Sequence, residues 1–120
     1  MAFYCPRRGD VVWLAFNPQA GHEQAGHRPA LVLSPESYNR KTGLAIFCPV
    51  SSQEKGYPFE VQIPEGYKVS GVILSDQVKN LDWKARQAKF CCEIPSITLS
   101  EVMSKLRILL TTPAKFHNSN

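Results

Sequence analysis

The chain has 120 residues, 43% of them hydrophobic and 20% charged, the balance of one globular unit with a real core. No run of about 18 apolar residues is present, which argues against a membrane-spanning helix. The opening MAFYCPRRGD has no apolar stretch behind its basic residues, which argues against a secretory signal. A net charge of +4 leaves room for a basic face that meets an anionic partner, either nucleic acid or an acidic protein.

Gly9-Asp10 leads into Val11-Val12-Trp13-Leu14-Ala15-Phe16, a β-rich first strand. Asn17-Pro18 and Gly21 then carry turn chemistry. The polar segment that follows holds His22, Glu23, Gln24, His27 and Arg28, and its glycines and prolines exclude a helix interior. Pro29 precedes Ala30-Leu31-Val32-Leu33, a buried strand. A polar loop between two strands is a natural seat for binding or catalysis.

Ser34-Pro35-Glu36 predicts a short helix to about Arg40, with Ser34 as N-cap and Pro35 at its first position. Leu44 to Val50 forms a third strand, ending at Ser51-Ser52-Gln53. Glu54 to Pro58 reads as a hairpin-like loop. Phe59-Glu60-Val61-Gln62-Ile63 alternates as a half-exposed strand does. Gly71 to Ser75 and Val78 to Leu81 read as one further strand bent near Asp76-Gln77, and Gln87 to Glu93 as a short last strand.

Thr98 and Glu101 fit a capping box, Thr98 as N-cap. Val102, Met103, Leu106, Leu109 and Leu110 then share one helical face. Residues 1–110 thus read as one domain, and 111–120 as a loose polar tail. Many short strands and one terminal helix predict a small, strongly curved sheet or barrel.

Cys5, Cys48, Cys91 and Cys92 lack C-x-x-C spacing, and neighbouring cysteines are poorly placed to share one zinc. They read as reduced, structural thiols of a cytosolic protein. His22-Glu23-Gln24-Ala25-Gly26-His27 approaches the zincin H-E-x-x-H but holds one residue too many and cannot form the required helix. No metal is therefore assigned, and no cofactor.

Gly9-Asp10-Val11-Val12-Trp13, Gly21-His22-Glu23-Gln24 with Gly26-His27-Arg28-Pro29, Lys55-Gly56-Tyr57-Pro58-Phe59-Glu60-Val61 and Ser75-Asp76-Gln77-Val78 together resemble the signature of the MazF/PemK (Kid) toxin family. The likeness spans about Gly9 to Leu110 and leans toward the MazF branch. It implies an SH3-like barrel of the CcdB/MazF/PemK kind with a C-terminal α-helix, acting as a homodimer. It further implies a sequence-specific endoribonuclease that cuts single-stranded messenger RNA and is neutralised by an acidic, partly disordered MazE-like antitoxin. The family often has threonine where Ser51 stands, and the Kid branch has arginine where Leu74 stands.

Metal-free RNA cleavage needs a base for the ribose 2′-OH, donors for the charged phosphorane and an acid for the leaving 5′-oxygen. Arg28 suits the phosphate, because its planar fork holds two oxygens; a salt bridge tying down the loop is the plainer role. Ser51 offers a hydroxyl to the same phosphate, or simply caps a turn. Glu23 is the first candidate for the base. His22 is the second, since the likeness implies variability at its position. Asp76 is a third contributor or a brace for the bend. Gln24, His27, Ser52, Gln53, Lys55, Tyr57, Gln77 and Lys79 are the candidate RNA-binding residues.

Tyr57, in a Gly-Pro loop, is the best stacking face for an unpaired base, while Trp13 and Phe59 read as core. Lys84, Arg86 and Lys89 are further candidates for the groove, though scattered cations often only solvate a surface. Two rivals stay open at this point: a CcdB-like toxin that binds a protein target without cleaving, and a non-catalytic RNA-binding module.

Overall fold

The computed structural model describes residues 4–15 and 26–113. Among these residues are seven strands, β1 (Asp10–Ala15), β2 (His27–Val32), β3 (Leu44–Ser51), β4 (Glu60–Gln62), β5 (Val72–Leu74), β6 (Lys79–Asp82) and β7 (Lys89–Glu93), with α1 (Glu36–Thr42) between β2 and β3 and α2 (Ser96–Thr111) after β7. All pairings are antiparallel, in the order β4-β5-β3-β2-β1-β7, with β6 also on β3.

Strand β3 organises the sheet. One edge pairs with β2 through Ala30↔Pro49, Leu31↔Cys48 and Val32↔Phe47. The other edge takes β6 from Leu44 to Phe47 and β5 at Val50 and Ser51. The expected single bent strand is therefore two strands, β5 and β6. The turn between them, closed by the Gln77 N–H on Leu74 O at 3.1 Å, sends each to a different half of β3.

Successive side chains leave a strand on opposite faces, and here both faces are covered. Val11, Leu31, Leu33, Cys48, Val50, Val61, Ile73 and Val102 build one core. Val12, Leu14, Ala30, Val32, Ala45, Phe47 and Trp83 build the other. That is why the first three strands read as unbroken apolar runs rather than alternating ones.

Between β1 and β7 the register slips, from Val11↔Cys92 to Val12↔Phe90, leaving Cys91 as an extra residue. This bulge brings adjacent Cys91 and Cys92 to the same core. All four cysteines are free thiols.

Several boundaries differ from the sequence-based expectation. Strand β2 starts at His27, so His27 and Arg28 lie in a strand rather than a loop: pairing with Ala15 and Leu14 of β1 extends it. Pro29 is accommodated because there β2 pairs with β1, while its ladder to β3 covers Ala30 to Val32. Ser34 is not an N-cap; Pro35 holds that position without a side-chain bond. The buried Ser34 hydroxyl instead donates to Asn39 Oδ1 (2.5 Å) and accepts the Ile46 N–H (2.8 Å).

Likewise α2 begins two residues before Thr98, after Pro95, so the expected capping box is not formed. Thr98 is buried in the first turn, and Glu101 pairs with Lys105 at 3.7 Å. The last strand begins at Lys89 because Gln87 adopts a left-handed turn conformation, φ 55°.

Helix α2 docks through Val102, fully buried, with Leu99 and Leu106 half-buried beside it. The remaining apolar side chains stay open: Ile97 is 76% exposed, Ile108 58% and Leu110 75%, with Met103 and Leu109 also exposed. No helix among the described residues is long and apolar enough to cross a membrane.

Candidate functional site

A groove of about 520 Å³ opens at the end of the second core. Its floor is apolar, from Leu14, Ala30, Phe47, Pro49 and Leu81. Its rim is polar, from His27, Arg28, Ser51, Ser52, Gln53, Ser70, Gln77 and Lys79. The lining contains cations, amides and hydroxyls but, among the described residues, no carboxylate. Such a surface favours an anion.

Strand period explains how Arg28 and Ser51 come together. Arg28, Ala30 and Val32 share one face of β2, and Phe47, Pro49 and Ser51 share the matching face of β3. The ladder pairs Ala30 with Pro49. Carried two residues further, the same register sets Arg28 against Ser51, at the point where the strands part and the groove begins. Arg28 is exposed and stands opposite Leu14 of β1, which helps form the floor.

Ser51 also depends on a glycine. Gly71 adopts φ +116°, and a Cβ there would lie 2.1 Å from the Ser51 carbonyl oxygen. Without that Cβ, β5 can close on the end of β3 and pair Val72 with Ser51. The Ser51 Oγ accepts the Gln53 N–H at 3.1 Å. It therefore caps a turn as well as facing the groove. The sequence signal for Gly71, a glycine ahead of an apolar strand, was visible, but its partner was not.

The other candidates divide. His27, Ser52, Gln53, Gln77 and Lys79 line the groove with Arg28 and Ser51. Asp76 does not; it is exposed, and its Oδ1 accepts the Tyr57 hydroxyl at 3.2 Å. Burial, followed by this bond, raises the Tyr57 pKa. Lys55 and Tyr57 lie in the adjoining loop, outside the groove lining. Lys84, Arg86 and Lys89 are elsewhere too: Lys84 sits 5.5 Å over the Trp83 ring, and Arg86 donates to Ala15 O at 3.2 Å. His22, Glu23 and Gln24 lie outside the described residues. So does Phe16.

Trp13 packs against the first core, as expected. Among the described residues no group of three or more His, Cys, Asp or Glu is placed to hold a metal ion. Burial pushes the Cys48 thiol up to about 12, with a smaller push from the Asp76 charge, and Cys91 up to about 11. These are protonated, inert thiols at neutral pH.

Comparison with known proteins places this geometry. A profile described as "PemK-like, MazF-like toxin of type II toxin-antitoxin system" matches residues 7–110. The endoribonuclease toxin MazF of Escherichia coli is 46% identical over 107 residues, covering 89% of this chain and 96% of that protein. Endoribonuclease PemK of E. coli is 35% identical over 108 residues, covering 87% and 81%. The crystal structure of MazF from Deinococcus radiodurans superimposes with a TM-score of 0.81 at 56% identity, covering 90% and 98%. A MazE–MazF complex structure from the same organism gives a TM-score of 0.83 at 48% identity, covering 92% and 100%. The curved antiparallel sheet with its C-terminal helix, the groove at the end of β2 and β3, and a match from Arg7 to Leu110 make this chain a member of the PemK-like, MazF-like toxin family of type II toxin–antitoxin systems.

Proposed function

We propose that the chain is a sequence-specific endoribonuclease that cuts single-stranded messenger RNA without a metal ion. The observation that carries this reading is the groove whose cationic and hydroxyl-bearing rim brings Arg28 and Ser51 onto one face. Relatives that cover most of the chain are named endoribonucleases.

In this mechanism Glu23 takes the proton of a ribose 2′-OH, with His22 as the alternative base. The 2′-oxygen attacks the adjacent phosphorus in line. Arg28 holds two phosphate oxygens through its fork, and the Ser51 hydroxyl donates to the same group as charge develops. The P–O5′ bond breaks, and the leaving 5′-oxygen takes its proton from the protonated base or from water. The products are a 2′,3′-cyclic phosphate and a 5′-hydroxyl, and DNA is spared because it lacks the nucleophile.

His27, Ser52, Gln53, Gln77 and Lys79 hold the strand in the groove, with Lys55 and Tyr57 flanking it, and Gln24 is a further RNA-binding residue. Asp76 braces Tyr57 and is the weakest of the three candidates for the base. The catalytic unit runs through Leu110 and works in the cytoplasm as a homodimer, which gives the apolar face of α2 a cover. Its regulator is an acidic MazE-like antitoxin; the MazE–MazF complex of the D. radiodurans relative supports such a partner. The +4 charge predicts that antitoxin binding weakens as salt rises, since exposed charges are screened over about 8–10 Å.

The test is incubation of purified protein with single-stranded RNA in EDTA, followed by analysis of the new ends. Cyclic phosphate and 5′-hydroxyl ends at recurrent sequences are expected. Intact RNA, or cleavage abolished by EDTA, overturns the reading.

A further inference from the structure

Glu60 is half-buried at the start of β4 and forms no salt bridge among the described residues. Its carboxylate is satisfied by backbone instead. Oε2 accepts the Lys55 N–H and Oε1 the Gly56 N–H, each at 2.9 Å. Gly56 adopts φ +85°. Successive amides in such a turn form a concave anion site, and here the anion is supplied by the chain itself.

The same residue is fastened on every other side. Its backbone pairs with Leu74 of β5, its N–H donates to Tyr57 O at 3.2 Å, and its carbonyl accepts Lys105 Nζ from α2 at 3.0 Å. Phe59 O accepts the N–H and hydroxyl of Ser75. The segment held in this way, 53–59, runs out of the groove rim at Ser52 and Gln53. At its tip, Tyr57 meets Asp76, next to the groove residue Gln77.

We propose that Glu60 is the positioning residue of the 53–59 segment, holding it in the one shape that receives RNA, and so sets which bases are accepted beside the cleaved bond. This rests on the endoribonuclease reading of the groove. Glu60 is not itself part of the groove lining, and its carboxylate acts through the backbone of Lys55 and Gly56. In Glu60→Gln, one acceptor oxygen becomes an NH2 facing an N–H, so one of the two bonds is lost. Gly56→Ala disturbs the same turn without touching charge, because its positive φ strains any L side chain while a Cβ there meets nothing.

The experiment digests a mixed-sequence RNA with the full chain and each variant and sequences the new 5′-hydroxyl ends. Steady-state kinetics on the best-cut oligonucleotide and a melting curve accompany it. Both variants are expected to stay folded, to raise KM about tenfold with kcat within about threefold, and to cut at a broader set of sequences.

A wild-type end profile and KM in either folded variant overturns the proposal. A fall in kcat at unchanged KM overturns it as well, because it puts Glu60 in the chemistry. So does tighter RNA binding in Glu60→Gln with Gly56→Ala like wild type, which marks a charge effect. If Glu60→Gln does not fold, Gly56→Ala decides. If the wild type cuts nothing, the endoribonuclease reading falls and this proposal with it; if the wild type cuts and the variants match it, this proposal alone falls.

Discussion

Ser51 depends on an atom that Gly71 lacks. A methyl at Gly71 collides with the Ser51 carbonyl and meets an unfavourable φ. Gly71→Ala is therefore expected to cost more than about 2 kcal/mol in denaturant unfolding and to slow RNA cleavage by displacing Ser51. Cys48 supplies a second expectation. Its folded pKa, about 12, lies above the ordinary value of 9.0 because the thiol is fully buried. Between roughly pH 9 and 12 the unfolded chain has lost this proton while the folded chain keeps it. Linkage then lowers stability by about 1.4 kcal/mol per pH unit across that window, and by nothing below it. Unfolding of wild type and Cys48→Ala from pH 7 to 10.5 checks this: the variant should be less stable at pH 7, yet its alkaline slope should be shallower.

Elements were legible in proportion to how locally they are determined. The apolar runs of β1, β2 and β3 announced themselves, because two cores cover both faces of each strand. The capping signals misled. Ser34 and Thr98 are capping residue types, but tertiary burial claims both, Ser34 through Asn39 and Ile46. The split of one apolar stretch into β5 and β6 follows from pairing with distant β3, which no local pattern encodes. The site shows the same division. Arg28 and Ser51 stood out by residue type and by motif, whereas their meeting is a matter of β2–β3 register. Helix α2 shows its two roles in its exposure. Val102→Ala, inside the core, should cost the folded protein about 1–3 kcal/mol. Ile108→Ser and Leu110→Ser should leave unfolding of the monomer within about 0.5 kcal/mol of wild type while weakening self-association. Equal losses of stability at both faces would contradict this division.

At the scale of the whole molecule, the cationic groove and the open apolar helix face are two surfaces that a single copy leaves uncovered. The homodimer reading predicts twice the 13.5 kDa chain mass in sedimentation at micromolar concentration; a clean monomer contradicts it. The central claim is that Arg28 stabilises the transition state of RNA cleavage. The most direct measurement is single-turnover cleavage by Arg28→Ala, beside its binding to an uncleavable RNA with a 2′-deoxy group at the scissile position. The account predicts a cleavage rate lower by roughly 10²–10³ at saturating RNA with affinity little changed, and poor rescue by Arg28→Lys. A saturated rate equal to wild type, with the whole defect in affinity, would contradict it.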